Sequence, residues 1–375
     1  MGIQALGLIG LLLLVIHPVS LFLTTKTDQM RPNTLLAITV TLLLPFQNTK
    51  AQDKTDGRQQ YISIGDFTLE SGQKILDCKI GYRAYGKLNS NKSNIIIFPS
   101  WFTGTAKDLE AMVPGKMIDT TAFYVMLIDA LGDGCSSSPD NSLKQSRLQF
   151  PSFTIRDMVE SQYKMLAYKM GIQHLVAVAG ISMGGMQAFQ WAVSHPDFMD
   201  KVIPIVGSPQ LSTNDLLLWN GELQAMVRDT AYHNGNYTGR PPLPPVTIIH
   251  NLAVGTPENI TNSVSRAAFN TWFAAMESST GFDWNNWHRQ LEAMINHDVT
   301  KTTGGSLSDA AKMIKAKMLI IVAKQDHMVN PIPATQFAAL LPGAKLLELQ
   351  GDCGHKAVGC EMDKVIAAVG GFLKE

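Results

Sequence analysis

A serine lies in a short glycine-rich turn between an apolar run and a helical stretch. Residues 174–179 (HLVAVA) precede the segment 180–185 (GISMGG), which places Ser182 between Gly180 and Gly184. A sharp turn from strand to helix needs small residues on either side of its serine, because larger side chains would collide there. Such a turn presents the hydroxyl at the carboxyl edge of a sheet. Ser182 is therefore the predicted nucleophile of an acyl-transfer reaction.

Two later residues are predicted to activate this serine. A serine hydroxyl is a weak nucleophile at neutral pH, so it needs a histidine base, whose orientation a carboxylate fixes. Asp326 and His355 each follow a late apolar run, in the chain order serine, acid, histidine. We therefore predict a triad of Ser182, Asp326 and His355. The open alternatives are Asp352 as the acid and His327 as the base.

Acyl transfer also needs N–H donors for the oxyanion that forms on the substrate carbonyl. The amide of Met183 would begin the helix after the nucleophile, where the helix dipole favours negative charge. A second amide is expected from the loop 99–104 (PSWFTG), and Phe102 is the predicted donor. The side chains of Trp101 and Phe102 are expected to line the acyl pocket as substrate-binding residues.

Apolar runs that alternate with helical stretches can position these residues. The early runs suggest antiparallel hairpins, and the later ones are continuous and rich in Val, Ile and Leu, which is typical of parallel strands covered on both faces. The pattern predicts an α/β-hydrolase fold, with a mostly parallel central sheet flanked by helices. The predicted strands are 61–64, 75–85, 94–98, 123–129, 174–179, 201–206, 318–323 and 345–349, and the predicted helices are 155–170, 184–194 and 363–373.

The alternation stops between Val206 and Met318. This stretch has helical patterns, a proline-rich kink and several tryptophans, and it predicts a helical cap over about residues 208–305, inserted into a hydrolase domain of residues 52–375. Most of the tryptophans are expected to pack the cap's own core. They are Trp219, Trp272, Trp284 and Trp287.

The N-terminal residues 1–51 are hydrophobic in two places, 6–23 and 35–46. The second run, read from Met30, has a basic start, a short apolar stretch and small residues where a signal peptidase cuts. This pattern predicts an exported protein, secreted or held in the cell envelope. The alternative is that residues 6–23 anchor the chain in a membrane, since they are about long enough to span one.

Charge and cysteine content exclude several classes of function. The 31 basic and 31 acidic residues give a net charge of zero, so no nucleic-acid partner is expected. The four cysteines fit no zinc spacing, and neither a metal nor a resident cofactor is predicted. Buried free thiols are the favoured state of Cys353 and Cys360. A disulfide between Cys353 and Cys360, which bracket His355, is the alternative.

Five strings show a resemblance to the homoserine O-acetyltransferase family of the α/β-hydrolases. They are 84–89 (AYGKLN), 102–104 (FTG), 114–120 (PGKMIDT), 153–159 (FTIRDMV) and 182–188 (SMGGMQA). The resemblance runs from about residue 65 to the end of the chain. It implies an acyl-serine intermediate on Ser182, with Asp326 and His355 as partners, Phe102 and Met183 as oxyanion donors, and a homodimer.

The substrate-recognition residues of that family are not matched. Its members bind an amino-acid ammonium with an aspartate directly after the histidine, where this chain has Lys356, and a carboxylate with a cap arginine, which residues 248–255 (IIHNLAVG) lack. Lysine would repel an ammonium. The predicted function is therefore hydrolysis of a small-molecule ester or related acyl substrate. The alternatives are an O-acyltransferase that takes acetyl-CoA as its donor, and a non-catalytic binding protein on a hydrolase fold.

Overall fold

The computed structural model describes residues 56–375, so the predicted signal or anchor segment 1–51 lies outside the described residues. The described chain contains one sheet of eight strands. Each predicted strand is present, and the first is longer than the sequence predicted. The strands are β1 (Gln60–Thr68), β2 (Lys74–Tyr85), β3 (Ile95–Pro99), β4 (Tyr124–Ile128), β5 (Leu175–Ile181), β6 (Met199–Ile205), β7 (Lys317–Ala323) and β8 (Lys345–Leu349).

The sheet has the order β1-β2-β4-β3-β5-β6-β7-β8. β2 runs antiparallel to both of its neighbours, β1 and β4, and all the other pairs are parallel. The carboxyl ends of β3 to β8 therefore meet at one edge of the sheet, where the loops that follow them can form a common site. This confirms the predicted mostly parallel α/β-hydrolase sheet.

Helices cover both faces of the sheet. In β3, Ile95 and Ile97 pack into one hydrophobic core while Ile96 and Phe98 pack into the other. Successive residues of a strand point to opposite faces, so a strand buried on both faces must be apolar at every position. This requirement explains the continuous apolar runs in the sequence.

The helices before β6 and after β7 are α1 (Ala106–Leu109), α2 (Ile155–Tyr163), α3 (Met183–Ser194), α10 (Pro331–Ala339), α11 (Ala357–Cys360) and α12 (Met362–Leu373), with 3₁₀ turns at Arg147–Gln149 and Gly354–Lys356. The predicted helix 155–170 is present. Its hydrogen bonding changes from α to π over Lys164–Lys169.

Six further helices lie between β6 and β7, where the sequence predicted a cap. They are α4 (Thr213–Arg228), α5 (Pro244–Val254), α6 (Pro257–Ser263), α7 (Phe269–Glu277), α8 (Trp284–Ile295) and α9 (Leu307–Met313), with 3₁₀ turns at His233–Gly235 and Val299–Thr303. Across residues 56–375, none of the helices combines the length and the apolar character that crossing a membrane requires.

Candidate active site

Ser182 occupies a strained turn between β5 and α3. Its backbone angles are φ 58° and ψ −120°, in a region that non-glycine residues rarely adopt. The two flanking glycines make this turn possible. A Cβ on Gly180 would lie 2.2 Å from the carbonyl oxygen of Gly184, and a Cβ on Gly184 would lie 2.5 Å from that of Pro99. The sequence prediction that this turn needs small residues is confirmed.

The structure brings together the serine, histidine and aspartate predicted from the sequence. His355 Nε2 lies 2.7 Å from Ser182 Oγ, and His355 Nδ1 lies 2.7 Å from Asp326 Oδ2. If Nδ1 carries the proton and donates to the carboxylate, Nε2 is free to accept the serine proton. This is the geometry of a nucleophile, a base and an orienting acid.

Asp326 is held as an acceptor on both of its oxygens. It is 5% exposed, and its second oxygen, Oδ1, accepts the amides of Met328 and Val329, each at 2.9 Å. These backbone donors fix the carboxylate so that Oδ2 faces the histidine. The alternatives are wrong as members of this triad, because His327 is exposed and the histidine contacts Asp326 rather than Asp352.

The two predicted oxyanion donors come from the turn that follows Ser182 and from the loop after β3. Met183 is the first residue of α3, so its amide is one of the initial helical N–H groups that have no carbonyl partner within the helix. Phe102 lies in the loop after β3 and lines the same cavity as Ser182. In that loop, Thr103 has φ 63° and its amide donates to Gln290 Oε1 of α8 at 3.0 Å. The cap therefore helps to hold the loop.

Two buried carboxyls, those of Asp129 and Asp133, lie close to this loop, and Ser100 Oγ lies 3.5 Å from Asp133 Oδ2. Asp129 Oδ1 accepts the amide of Ala106 at 2.6 Å, and Asp133 accepts the amides of Cys135 and Ser136. Burial raises the pKa of Asp129, and burial together with the nearby Asp129 charge raises the pKa of Asp133 well above its usual range.

Ligand atoms of Asp129, Asp133 and Cys135 lie within 4.8 Å of one another, a spacing that could hold a metal ion. Because backbone amides already donate to both Asp129 and Asp133, we interpret the two carboxyls as structural. No motif in the sequence indicates this cluster.

A cavity of about 380 Å³ opens above Ser182. Its walls are mainly apolar and come from both the sheet domain and the cap. Trp101 and Phe102 are among them, in the positions expected of residues that line an acyl pocket. The lining residues are Trp101, Phe102, Thr103, Met112, Ile181, Ser182, Trp219, His250, Val254, Met294, Met328, His355, Lys356, Val358 and Gly359.

Cap aromatics surround Phe102. Its ring centroid lies 4.9 Å from that of Trp287 and 6.0 Å from that of Trp219, with edge-to-face geometry. Trp219 also lines the cavity, so it serves the site as well as the cap core. Trp284 instead matches the expectation for most of the tryptophans, because it is buried and its indole donates to the Pro241 carbonyl.

The cap also contributes a histidine and a carboxylate that the sequence prediction missed. Glu222 is fully buried, with Oε1 2.7 Å from Trp287 Nε1 and Oε2 3.3 Å from His250 Nδ1. His250 lines the cavity. The sequence carries no signal that singles out Glu222, because α4 also contains Asp215, Asn220, Gln224 and Arg228.

The loop that carries His355 is closed by a disulfide between Cys353 and Cys360. The favoured prediction of buried free thiols is wrong for this pair, whereas Cys78 and Cys135 are free thiols. The 3₁₀ turn at Gly354–Lys356 and helix α11 fold the chain back, so the two Cα atoms lie 6.6 Å apart, within bonding range.

A mostly parallel sheet with a serine at a strand-to-helix turn, followed by an aspartate and a histidine on later loops, defines the α/β-hydrolase class. A family model described as the alpha/beta hydrolase fold matches residues 95–242. The chain is 28% identical to an ethyl acetate hydrolase of Pseudomonas veronii, over 82% of this chain and 92% of that protein.

The same likeness extends to an acyltransferase and to a solved esterase. The chain is 29% identical to a homoserine O-acetyltransferase of Methanosalsum zhilinae, covering 82% of this chain and 71% of that one. The acetyl esterase MekB superposes with a TM-score of 0.79 at 26% identity, covering 85% and 97% of the two chains. The chain has the α/β-hydrolase fold and is a divergent relative of esterases and of homoserine O-acetyltransferases. It is an enzyme of acyl transfer or hydrolysis.

Proposed function

We propose that this protein hydrolyses small carboxylic esters through an acyl-serine intermediate on Ser182. The observation that carries the proposal is the 2.7 Å contact between Ser182 Oγ and His355 Nε2, at the base of an apolar cavity. A nucleophile and base in hydrogen-bond contact meet the geometric requirement for covalent acyl transfer.

The first half of the reaction transfers the acyl group to the enzyme. Ser182 Oγ attacks the ester carbonyl carbon while its proton moves to His355 Nε2, and Asp326 stabilises the imidazolium that forms. The carbon–oxygen bond to the alcohol then breaks, and His355 returns the proton to the departing oxygen. The products of this half are an acyl-serine and a free alcohol.

The second half returns the enzyme to its starting state. A water molecule attacks the acyl carbon while His355 Nε2 takes its proton, and the bond to Ser182 Oγ breaks as that oxygen is reprotonated. In both halves, the amides of Met183 and Phe102 would stabilise the negative charge on the carbonyl oxygen. One such donor contributes roughly 3 kcal/mol to lowering the barrier.

The cavity favours water over an amino acid as the acyl acceptor. None of its lining residues is acidic, and Lys356 lies where an acceptor ammonium would need a carboxylate. The similarity to an ethyl acetate hydrolase and to an acetyl esterase also favours water as the acceptor. A second candidate, CoA-dependent acyl transfer to another acceptor, is favoured by the similarity to homoserine O-acetyltransferases.

We also propose that the enzyme acts outside the cytosol. Disulfides persist in oxidising compartments, so the Cys353–Cys360 bond supports the export predicted from the N-terminal sequence. Because acetyl-CoA is an intracellular donor, export would also favour hydrolysis over CoA-dependent transfer.

The test is mass spectrometry combined with turnover. Purified protein is incubated separately with 4-nitrophenyl acetate and with acetyl-CoA, each with and without homoserine, and the mass of Ser182-containing peptides is followed. We expect acylation by the ester alone and release by water. Ser182→Ala should abolish both, whereas a variant at an exposed serine, Ser90→Ala, should behave as wild type.

Two other results would contradict the proposal. Acylation by acetyl-CoA followed by transfer to homoserine would establish the acyltransferase. A protein that neither turns over an ester nor reacts with a serine-directed phosphonate would be a binding protein on a hydrolase fold.

A further inference from the structure

The cavity above Ser182 contains few polar side chains. Apart from Ser182 and His355, the polar side-chain groups are those of Thr103, His250 and Lys356 and the indole N–H groups of Trp101 and Trp219. His250 has Glu222 beside it, as His355 has Asp326. By contrast, Lys356 forms no ion pair with any residue in the range 56–375.

The backbone of Lys356 is fixed close to the reacting atoms. It directly follows His355 in the 3₁₀ turn Gly354–Lys356, and its amide donates to the carbonyl of Cys353 at 3.3 Å. The disulfide closes this turn a few residues later. The side chain therefore extends from an anchored point beside the catalytic base.

The ammonium of Lys356 lies on the cap side of the cavity. Its Nζ would be 3.7 Å from a Cβ on Gly255, the residue that follows the end of α5. Other parts of the cavity wall near this position are apolar, such as Val254 and Val358. Lys356 is exposed, so its ammonium is accessible to an anionic group on a ligand that enters the cavity.

From these contacts we propose that the preferred substrate is an ester that carries a carboxylate or a similar anionic group, and that Lys356 binds this group at the mouth of the cavity. The proposal rests on the ester hydrolysis proposed above and adds the substrate class. The anionic group lies on either the acyl or the alcohol part of the ester, and the experiment distinguishes the two.

The test uses two pairs of esters that differ by one charge. The acyl pair is 4-nitrophenyl hydrogen succinate and its neutral methyl ester, and the alcohol pair is 4-acetoxybenzoate and its methyl ester. For each pair, kcat/KM is measured with the purified exported protein. The value for the charged ester is then divided by the value for the neutral ester. Dividing by the neutral ester removes effects on the triad itself.

Wild-type enzyme is expected to prefer the charged ester of one pair. Since Lys356 is exposed to solvent, we expect its loss in Lys356→Gln to lower that ratio about tenfold, the size of one charge-assisted hydrogen bond at a wet site. Lys356→Arg should keep the ratio. Lys87→Gln is the matched control, because Lys87 is exposed and follows the end of β2 that pairs with the start of β4, at the opposite edge of the sheet from Ser182.

The salt dependence of the wild-type enzyme tests the proposal even if the Lys356→Gln variant fails to fold. The wild-type ratio should fall in 1 M salt, where the screening length is only about 3 Å. The proposed role of Lys356 is overturned if the ratio is unchanged in Lys356→Gln for both pairs, or if the wild-type ratio does not change with salt. In either case the proposed ester hydrolysis still stands. A wild-type enzyme that hydrolyses none of the four esters contradicts the proposed function and the inference with it.

Discussion

Removing the disulfide beside the catalytic histidine should weaken both stability and turnover. The perturbation is the double variant Cys353→Ser/Cys360→Ser, which leaves no unpaired thiol in the loop. The bond joins residues that are seven apart in the chain. In the chain-entropy account, a closed loop of this length contributes about 2 kcal/mol to the free energy of unfolding. For a domain of this size, that corresponds to a fall of about 3 °C in Tm.

Activity should fall less than it does in a triad variant. His355 keeps its contact with Asp326, and the cap still holds the loop, because Thr256 Oγ1 donates to the carbonyl of Asp352 at 2.5 Å. We expect kcat/KM for 4-nitrophenyl acetate to fall several-fold, since an oriented base loses efficiency when its loop becomes mobile.

The assay is urea unfolding together with ester kinetics, and the control is Cys135→Ser. Cys135 is a free thiol and is only partly buried, so this substitution should lower the free energy of unfolding by less than about 1 kcal/mol. If the double variant matched the control in both unfolding and kcat/KM, the other contacts of the loop would be sufficient to hold it. That result would refute the role of the disulfide in positioning His355.

Three further predictions follow from single residues. Asp326→Asn should lower kcat by about 10³-fold or more with little change in KM, measured on 4-nitrophenyl acetate, because the amide no longer favours the base tautomer of His355. Gly180→Ala should destabilise the fold by more than about 2 kcal/mol in urea unfolding, since its methyl would lie 2.2 Å from a backbone oxygen. Burial lowers the pKa of His297 to about 4, so the unfolded chain binds the extra proton and stability falls as pH drops from about 6.5 to about 4. This loss, about 3 kcal/mol, should be absent when unfolding of His297→Gln is measured across the same pH range.

The sheet and the triad were predictable because their causes are local in the sequence. A strand covered on both faces must be apolar throughout, and β3 and β5 to β7 satisfy that rule along most of their length. A nucleophile on a strained turn requires glycine at fixed positions, so Gly180 and Gly184 identify Ser182. Asp326 and His355 then follow from their positions after late strands. These signals require no knowledge of which cap residue meets which loop.

The residues that the sequence did not reveal depend on contacts between distant segments. Glu222 and His250 meet only because α4 and α5 pack side by side in the cap. The pair Asp129 and Asp133 depends on how the loop after β4 folds back along β2, where Ser136 and Ser137 contact Gly81 and Lys79. The same residue types would be ordinary on a surface. The disulfide likewise depends on a tight turn between Cys353 and Cys360. No periodicity or motif in the sequence predicts such long-range contacts.

One short loop links chemistry to recognition in this enzyme. His355 is the base, Lys356 is the side chain proposed to bind the substrate anion, and Cys353 and Cys360 tie the segment that carries both. A change that moves this loop should therefore alter turnover and charge preference together. A change at Lys356 alone should alter only the preference. The disulfide variant and Lys356→Gln, assayed on the same ester pairs, separate these two effects, because only the first should also slow hydrolysis of the neutral esters through His355.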